Sequence, residues 1–142
     1  MYILKAEHHF DSAHFLKGYQ GKCANIHGHR WRVVAEVEGD KLFSEGQLRD
    51  MVVDFGDLKR DIKKMVDYYD HSLIIESGSM RKETLSFLIE DGFNIIEVDF
   101  RPTAERFASK FYEELENMGY RVKRIHVYET PTNCAIYERQ GG

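Results

Sequence analysis

The chain has 142 residues, 42% of them apolar and 13% aromatic, which is enough for one domain with a proper core and too apolar for a disordered chain. Its formal net charge of −4 excludes a global pull towards nucleic acid or an anionic membrane. No apolar run approaches the roughly 20 residues of a membrane-spanning helix, and the two cysteines, Cys23 and Cys134, are too few for a secreted disulfide scaffold. Without a recognisable signal peptide they read as free thiols in a reducing, cytoplasmic setting.

Residues 2–14 read as a long first strand and 15–26 as a loop. Residues 27–38 read as a second strand, with Trp31, Val33, Ala35 and Val37 on one face. The spacing predicts a helix from about Gly56 to Asp70, with Leu58, Ile62, Met65 and Val66 on its apolar stripe and Asp54 or Asp57 at its N-terminus. A shorter helix is predicted over 80–91 and a strand over Phe93–Phe100. The most strongly patterned helix follows Pro102 and Thr103, carries Ala104, Phe107, Ala108, Phe111 and Leu115 inward, and stops at Gly119. Tyr120–Glu129 and Cys134–Glu138 read as a closing hairpin. The expected fold class is α+β, a single domain over 1–142: a four-stranded antiparallel sheet with two main helices on one face. Such a sheet leaves two edges to manage, so a homo-oligomer is expected.

The chemistry gathers around Cys23-Ala24-Asn25-Ile26-His27-Gly28-His29. Residues i and i+2 of a strand point the same way, so His27 and His29 can share one metal ion. His14 offers a third ligand, and a catalytic zinc site keeps one position open. Gly28 leaves the opposite strand face bare, where backbone or a ligand could approach. A His-x-His pair on a strand is otherwise just a solvated face.

Phe10-x-Ser12-Ala13-His14, Cys23-x-x-x-His27-Gly28-His29, Asp54-Phe55-x-x-Leu58-Lys59, Asp70-His71, Pro102-Thr103-Ala104-Glu105 and Tyr128-Glu129-Thr130 follow one another along the chain. In this order they resemble the 6-pyruvoyltetrahydropterin synthase and 6-carboxytetrahydropterin synthase superfamily, over nearly the whole sequence. The three-residue gap between Cys23 and His27 looks like the carboxy branch; the pyruvoyl branch usually has a longer gap. The resemblance implies the tunnelling fold, in which trimers close a β-barrel and pair into a hexamer with active sites between subunits. It implies conversion of 7,8-dihydroneopterin triphosphate to 6-carboxy-5,6,7,8-tetrahydropterin with release of acetaldehyde and triphosphate, an early step towards queuosine. The alternatives are the pyruvoyl synthase reaction and a non-catalytic zinc- or pterin-binding domain.

The resemblance also assigns roles. His14, His27 and His29 match three Zn2+ ligands. Cys23 matches a general base; a fourth zinc ligand or a buried structural thiol are its other readings. Asp70 and His71 match an acid–base relay, which requires the helix to end there, since sequence neighbours do not face each other within a helix. Their plain reading is a polar helix end. Glu129 matches a pterin anchor, a carboxylate accepting two parallel hydrogen bonds from a 2-amino-pyrimidinone edge; its plain reading is an exposed strand end. Thr103 and Thr130 are weaker candidates for ring contacts, and Glu105 suits the start of its helix. Lys22, Arg30, Arg32 and Arg101 are the basic residues nearest the motifs, and the pattern does not choose which of them holds a triphosphate. His8, His9 and His126 read as structural and Cys134 as packing. The long 72–101 stretch departs from compact members and is expected to shape the pocket mouth or a subunit contact.

Overall fold

The computed structural model describes residues 1–141. Two 13-residue strands form its spine: β1 (Tyr2–His14) and β2 (His27–Gly39). They pair antiparallel along their whole length, from Tyr2 opposite Gly39 to His14 opposite His27. On the far side of β2 lie β5 (Val122–Thr130) and then β6 (Asn133–Tyr137), both antiparallel. This is the expected antiparallel sheet. The structure extends it by β3 (Ser72–Glu76) and β4 (Ile95–Val98), which run parallel to β1 and to each other and bring the order to β4-β3-β1-β2-β5-β6.

The two added strands and the helix between them, α2 (Lys82–Glu90), account for the long 72–101 stretch: it is a strand–helix–strand crossover, the connection that parallel strands need. β3 has no alternating pattern because Ile74 and Ile75 are both buried, as neighbouring residues of a parallel strand commonly are. The periodicity that reveals a half-buried strand is therefore missing there.

One face of the sheet is covered by α1 (Phe55–Asp67) and α3 (Ala104–Asn117). Asp54 caps α1 by accepting from the Gly56 amide at 2.6 Å, and Thr103 caps α3 by accepting from the Arg106 amide at 3.2 Å. Leu58, Ile62 and Val66 of α1 and Phe107, Phe111 and Leu115 of α3 bury against Phe10, Trp31, Val33 and Ile125 of the sheet. Each such fully buried side chain stabilises the fold by roughly 1.5–3 kcal/mol. The aromatic centre is tight: Phe10 stacks on Trp31 at 5.8 Å, and Phe107 meets Trp31 edge-on at 5.3 Å.

The opposite face is polar. Arg32 pairs with Glu7 at 2.8 Å and lies over the Tyr128 ring at 3.8 Å; Arg124 and His126 both reach Glu36; Lys123 reaches Glu138 at 3.0 Å. Cys134 sits opposite Tyr128 on the edge strand β6 and is exposed, so it does not pack into the core as its strand position suggested. β3 pairs with β1 only over Ser12–His14, so most of β1 and the outer side of β6 remain unpaired edges among the described residues. Among the described residues, no helix is long and apolar enough to cross a membrane.

Candidate metal centre

The β1–β2 register builds the site. Phe10, Ser12 and His14 alternate on the core face of β1, and Trp31, His29 and His27 do so on β2, so the inward row runs from apolar packing into imidazoles. Ring centroids of His14 lie 4.6 Å from His27 and 5.1 Å from His29, and those of His27 and His29 are 4.9 Å apart. Trp31 closes the base of the cluster, 4.9 Å from His14 and 5.4 Å from His29.

Backbone carbonyls fix two of the tautomers. His14 Nδ1 is 2.7 Å from the Pro102 carbonyl and His27 Nδ1 is 2.7 Å from the Asn25 carbonyl. A carbonyl only accepts, so each Nδ1 carries the proton and each Nε2 presents a lone pair. The Nε2 atoms of His14, His27 and His29 are all buried without a hydrogen-bond partner. Three orphaned lone pairs aimed at one point are costly unless something positive sits there. The donor set and its second contacts fit a zinc ion.

Glu129 completes the cluster. It continues the inward row of Ile125 and Val127 on β5, and its Oε1 lies 2.9 Å from His29 Nε2 and 3.8 Å from His14 Nε2, off the hydrogen-bond direction. The donor atoms of His14, His27, His29 and Glu129 all fall within 4.8 Å of one another. A zinc tetrahedron with bonds of about 2.0–2.1 Å spaces its donors by roughly 3.4 Å, so small rotations suffice. Sequence reasoning gave Glu129 to the substrate ring and missed its place among the imidazoles. The signal was there in the alternation of β5, but the strand's neighbour was not.

Electrostatics agree. Burial pushes the His14 imidazole down to about 4, against the pull of the Pro102 carbonyl, with His27 and His29 adding repulsion. Burial also lowers His29, against the attraction of Glu129. Both rings are thus kept neutral, the form that binds a metal.

Cys23 lies in a single 3-10 turn, Lys22–Ala24, and its carbonyl accepts from the Leu16 amide at 2.9 Å, which ties the loop beside His14. It is half-buried and is not among the residues whose donor atoms converge. Asp70 and His71 stand beyond the end of α1, where His71 takes a left-handed φ of 55°. That reversal folds the ring back on its neighbour: His71 Nδ1 is 2.8 Å from Asp70 Oδ2, and Asp70 Oδ1 accepts from the Asp11 amide at 2.8 Å. The Asp11 amide and His71 hold Asp70 below the usual carboxylate range, and Asp70 raises His71. His71 is 79% exposed and lines a cleft of ≈ 660 Å³ with Asp11, Gly28 and Arg30. Gly28 and Arg30 alternate with the histidines along β2, so this cleft opens on the other face of the sheet. The structure therefore brings the imidazoles and Glu129 together, and Asp70 and His71 together, but not the two groups within one chain. A Cβ on Gly28 would meet only the Ser12 carbonyl, at 3.7 Å, so the bare face there is open space.

A family model described as 6-pyruvoyl tetrahydropterin synthase matches residues 3–140. The chain belongs to that family. It is 35% identical over 141 residues to 6-carboxy-5,6,7,8-tetrahydropterin synthase of Haemophilus influenzae, covering 97% of this chain and 99% of that protein. It is 33% identical over 129 residues to the enzyme of the same name from Aquifex aeolicus, covering 84% and 77%. Among solved structures, an uncharacterised protein of Wolinella succinogenes superposes with a TM-score of 0.80 at 20% identity over 98% of both chains. The 6-pyruvoyl tetrahydropterin synthase of Caenorhabditis elegans superposes at 0.65 and 24% identity, over 99% of this chain and 98% of that one. These likenesses place the α+β architecture within the synthase fold.

Proposed function

We propose that this synthase-family chain is a zinc-dependent carbon–carbon lyase that converts 7,8-dihydroneopterin triphosphate to 6-carboxy-5,6,7,8-tetrahydropterin, releasing acetaldehyde and triphosphate. The observation that carries the reading is the convergence of three buried, partnerless Nε2 atoms where β1 and β2 meet, in a chain whose relatives bear that enzyme's name. His14, His27 and His29 would hold the ion. When bound, zinc supplies Lewis acidity towards the oxygens of the substrate side chain.

The chain's own residues supply the proton transfers. Cys23 takes a proton from the side-chain carbon as the general base. His71, oriented by Asp70, returns protons during tautomerisation and serves the retro-aldol cleavage that frees acetaldehyde. The relay and the imidazoles lie on opposite faces of one sheet, which supports a site completed by a neighbouring subunit. The unpaired β1 and β6 edges support the same assembly, a barrel-closing trimer doubled to a hexamer.

Glu129 carries two readings. As a ring anchor it accepts from the 2-amino edge, with Thr103 donating its remaining hydroxyl proton nearby. Its 2.9 Å approach to His29 Nε2 favours a second reading, a place beside the substrate side chain and the metal, because the 2-amino edge lies across the ring from that side chain. The function itself is tested by incubating zinc-loaded protein with dihydroneopterin triphosphate and assaying acetaldehyde and the 6-carboxy pterin together. A pyruvoyl product without acetaldehyde assigns the protein to the other branch; no turnover by metal-loaded protein overturns the substrate assignment.

A further inference from the structure

Arg101 stands apart from the other basic residues near the motifs. Arg30 donates two parallel bonds to Asp11, at 2.9 and 3.0 Å, and Arg32 is held between Glu7 and the Tyr128 ring. Their charges are spent on the polar face of the sheet. Arg101 is half-buried and pairs with no carboxylate among the described residues, although Asp99 and Glu105 flank it in sequence. Its guanidinium donates to the Lys17 carbonyl at 3.2 Å and lies 5.9 Å from the Tyr19 ring. A cation partly withdrawn from water without a counter-charge is poised to take an anion.

Its position is tied to the metal centre. Arg101 precedes Pro102, whose carbonyl holds His14 Nδ1, so its backbone is anchored one residue from a ligand's support. The bond to Lys17 draws in the loop between His14 and His27. That loop carries Lys17 and Lys22 and no acidic residue over positions 15–26. Arg101 and this acid-free loop thus bring three cations to the end of the sheet where the imidazoles converge, with Glu129 as the carboxylate already set among the rings. Resting on the proposed substrate, we infer that Arg101, with Lys17 and Lys22, forms the polyphosphate end of the binding site, and that Arg32 takes no part in it. The planar guanidinium suits two oxygens of one phosphoryl group, and the flexible lysines suit the others as point charges.

Direct binding tests this without turnover. Oxidised neopterin triphosphate is fluorescent and inert, and neopterin lacks only the phosphates; fluorescence anisotropy with both gives the preference that the phosphates confer. Arg101→Gln is expected to cut that preference by roughly 10- to 100-fold while leaving neopterin affinity unchanged, and Arg32→Gln is expected to preserve it. Should Arg101→Gln not fold, the exposed Lys17→Gln/Lys22→Gln pair reads the same preference and is expected to lower it. An unchanged preference in the folded Arg101 variant, or in the lysine pair, overturns the inference, as does its loss in Arg32→Gln. Failure of the wild-type protein to bind either pterin removes the functional reading and the inference with it, whereas pterin binding with an unchanged preference removes the inference alone.

Discussion

His14 and His27 are direct partners across the β1–β2 ladder, and each spends its Nδ1 proton on a backbone carbonyl, leaving the two Nε2 atoms buried, partnerless and close together. The site is therefore fixed by sheet register before any metal arrives. His27→Ala removes one donor from this frame without touching the core, because His27 is only half-buried. Outer contacts alone are worth 10- to 100-fold in metal affinity. Loss of a direct donor is expected to exceed about 100-fold, measured by competition against a chelator. Affinity within tenfold of the parent protein would refute the three-histidine site.

Trp31 links core to site. It stacks on Phe10, meets Phe107 and backs both His14 and His29. Trp31→Leu leaves a cavity expected to destabilise the protein by about 2–4 kcal/mol in urea unfolding. Because two ligand rings lose their backing, metal affinity is also expected to fall. A purely structural core position would lose stability and keep its affinity.

The alternation of β1 and β2 was legible in the sequence, and with it the shared face of the three histidines, because a period of two needs no knowledge of neighbours. The caps of α1 and α3 were equally legible, since Asp54 and Thr103 act on amides two or three residues away. β3 was hidden because a parallel strand has no alternating face. Glu129 joining the imidazoles, and Arg101 standing free of acids, depend on partners 100 and 84 residues distant in the chain for Glu129–His29 and Arg101–Lys17 respectively, and no local pattern reports them.

The Asp70–His71 pair sets a pH dependence. Asp70 raises the folded-state pKa of His71 above the ordinary imidazole value. Any stability this gives is fully present below that ordinary value and is lost as pH rises through the folded one. His71 is exposed, so the effect on stability is small and the readout belongs on the ring itself. In Asp70→Asn, NMR titration of His71 is expected to show its midpoint moving to lower pH. The corresponding limb of the rate profile should move with it. A midpoint that stays in place would mean that the carboxylate does not orient this ring.

Glu129→Gln separates the two readings of that carboxylate. The side chain keeps its size and can still accept from a pterin edge, though more weakly. Placed beside the metal, it is expected to cost the site about tenfold in zinc affinity and to alter the visible spectrum of the cobalt-substituted protein. Placed on the ring, it would leave metal and spectrum alone and weaken only pterin binding.

Cys23→Ala decides between base and ligand. Its thiol is absent from the converging donors, while its backbone is held to Leu16 beside His14. The variant should therefore fold, keep its metal within about twofold, and lose turnover by roughly 10²- to 10⁴-fold, the usual worth of a positioned base. Cys23→Ser is not expected to restore the rate, because a hydroxyl is far less acidic than a thiol near neutral pH. If the alanine variant instead drops metal as sharply as His27→Ala, Cys23 closes the zinc site in the resting protein, and the proton must be taken by another group, of which Glu129 is the carboxylate already in place.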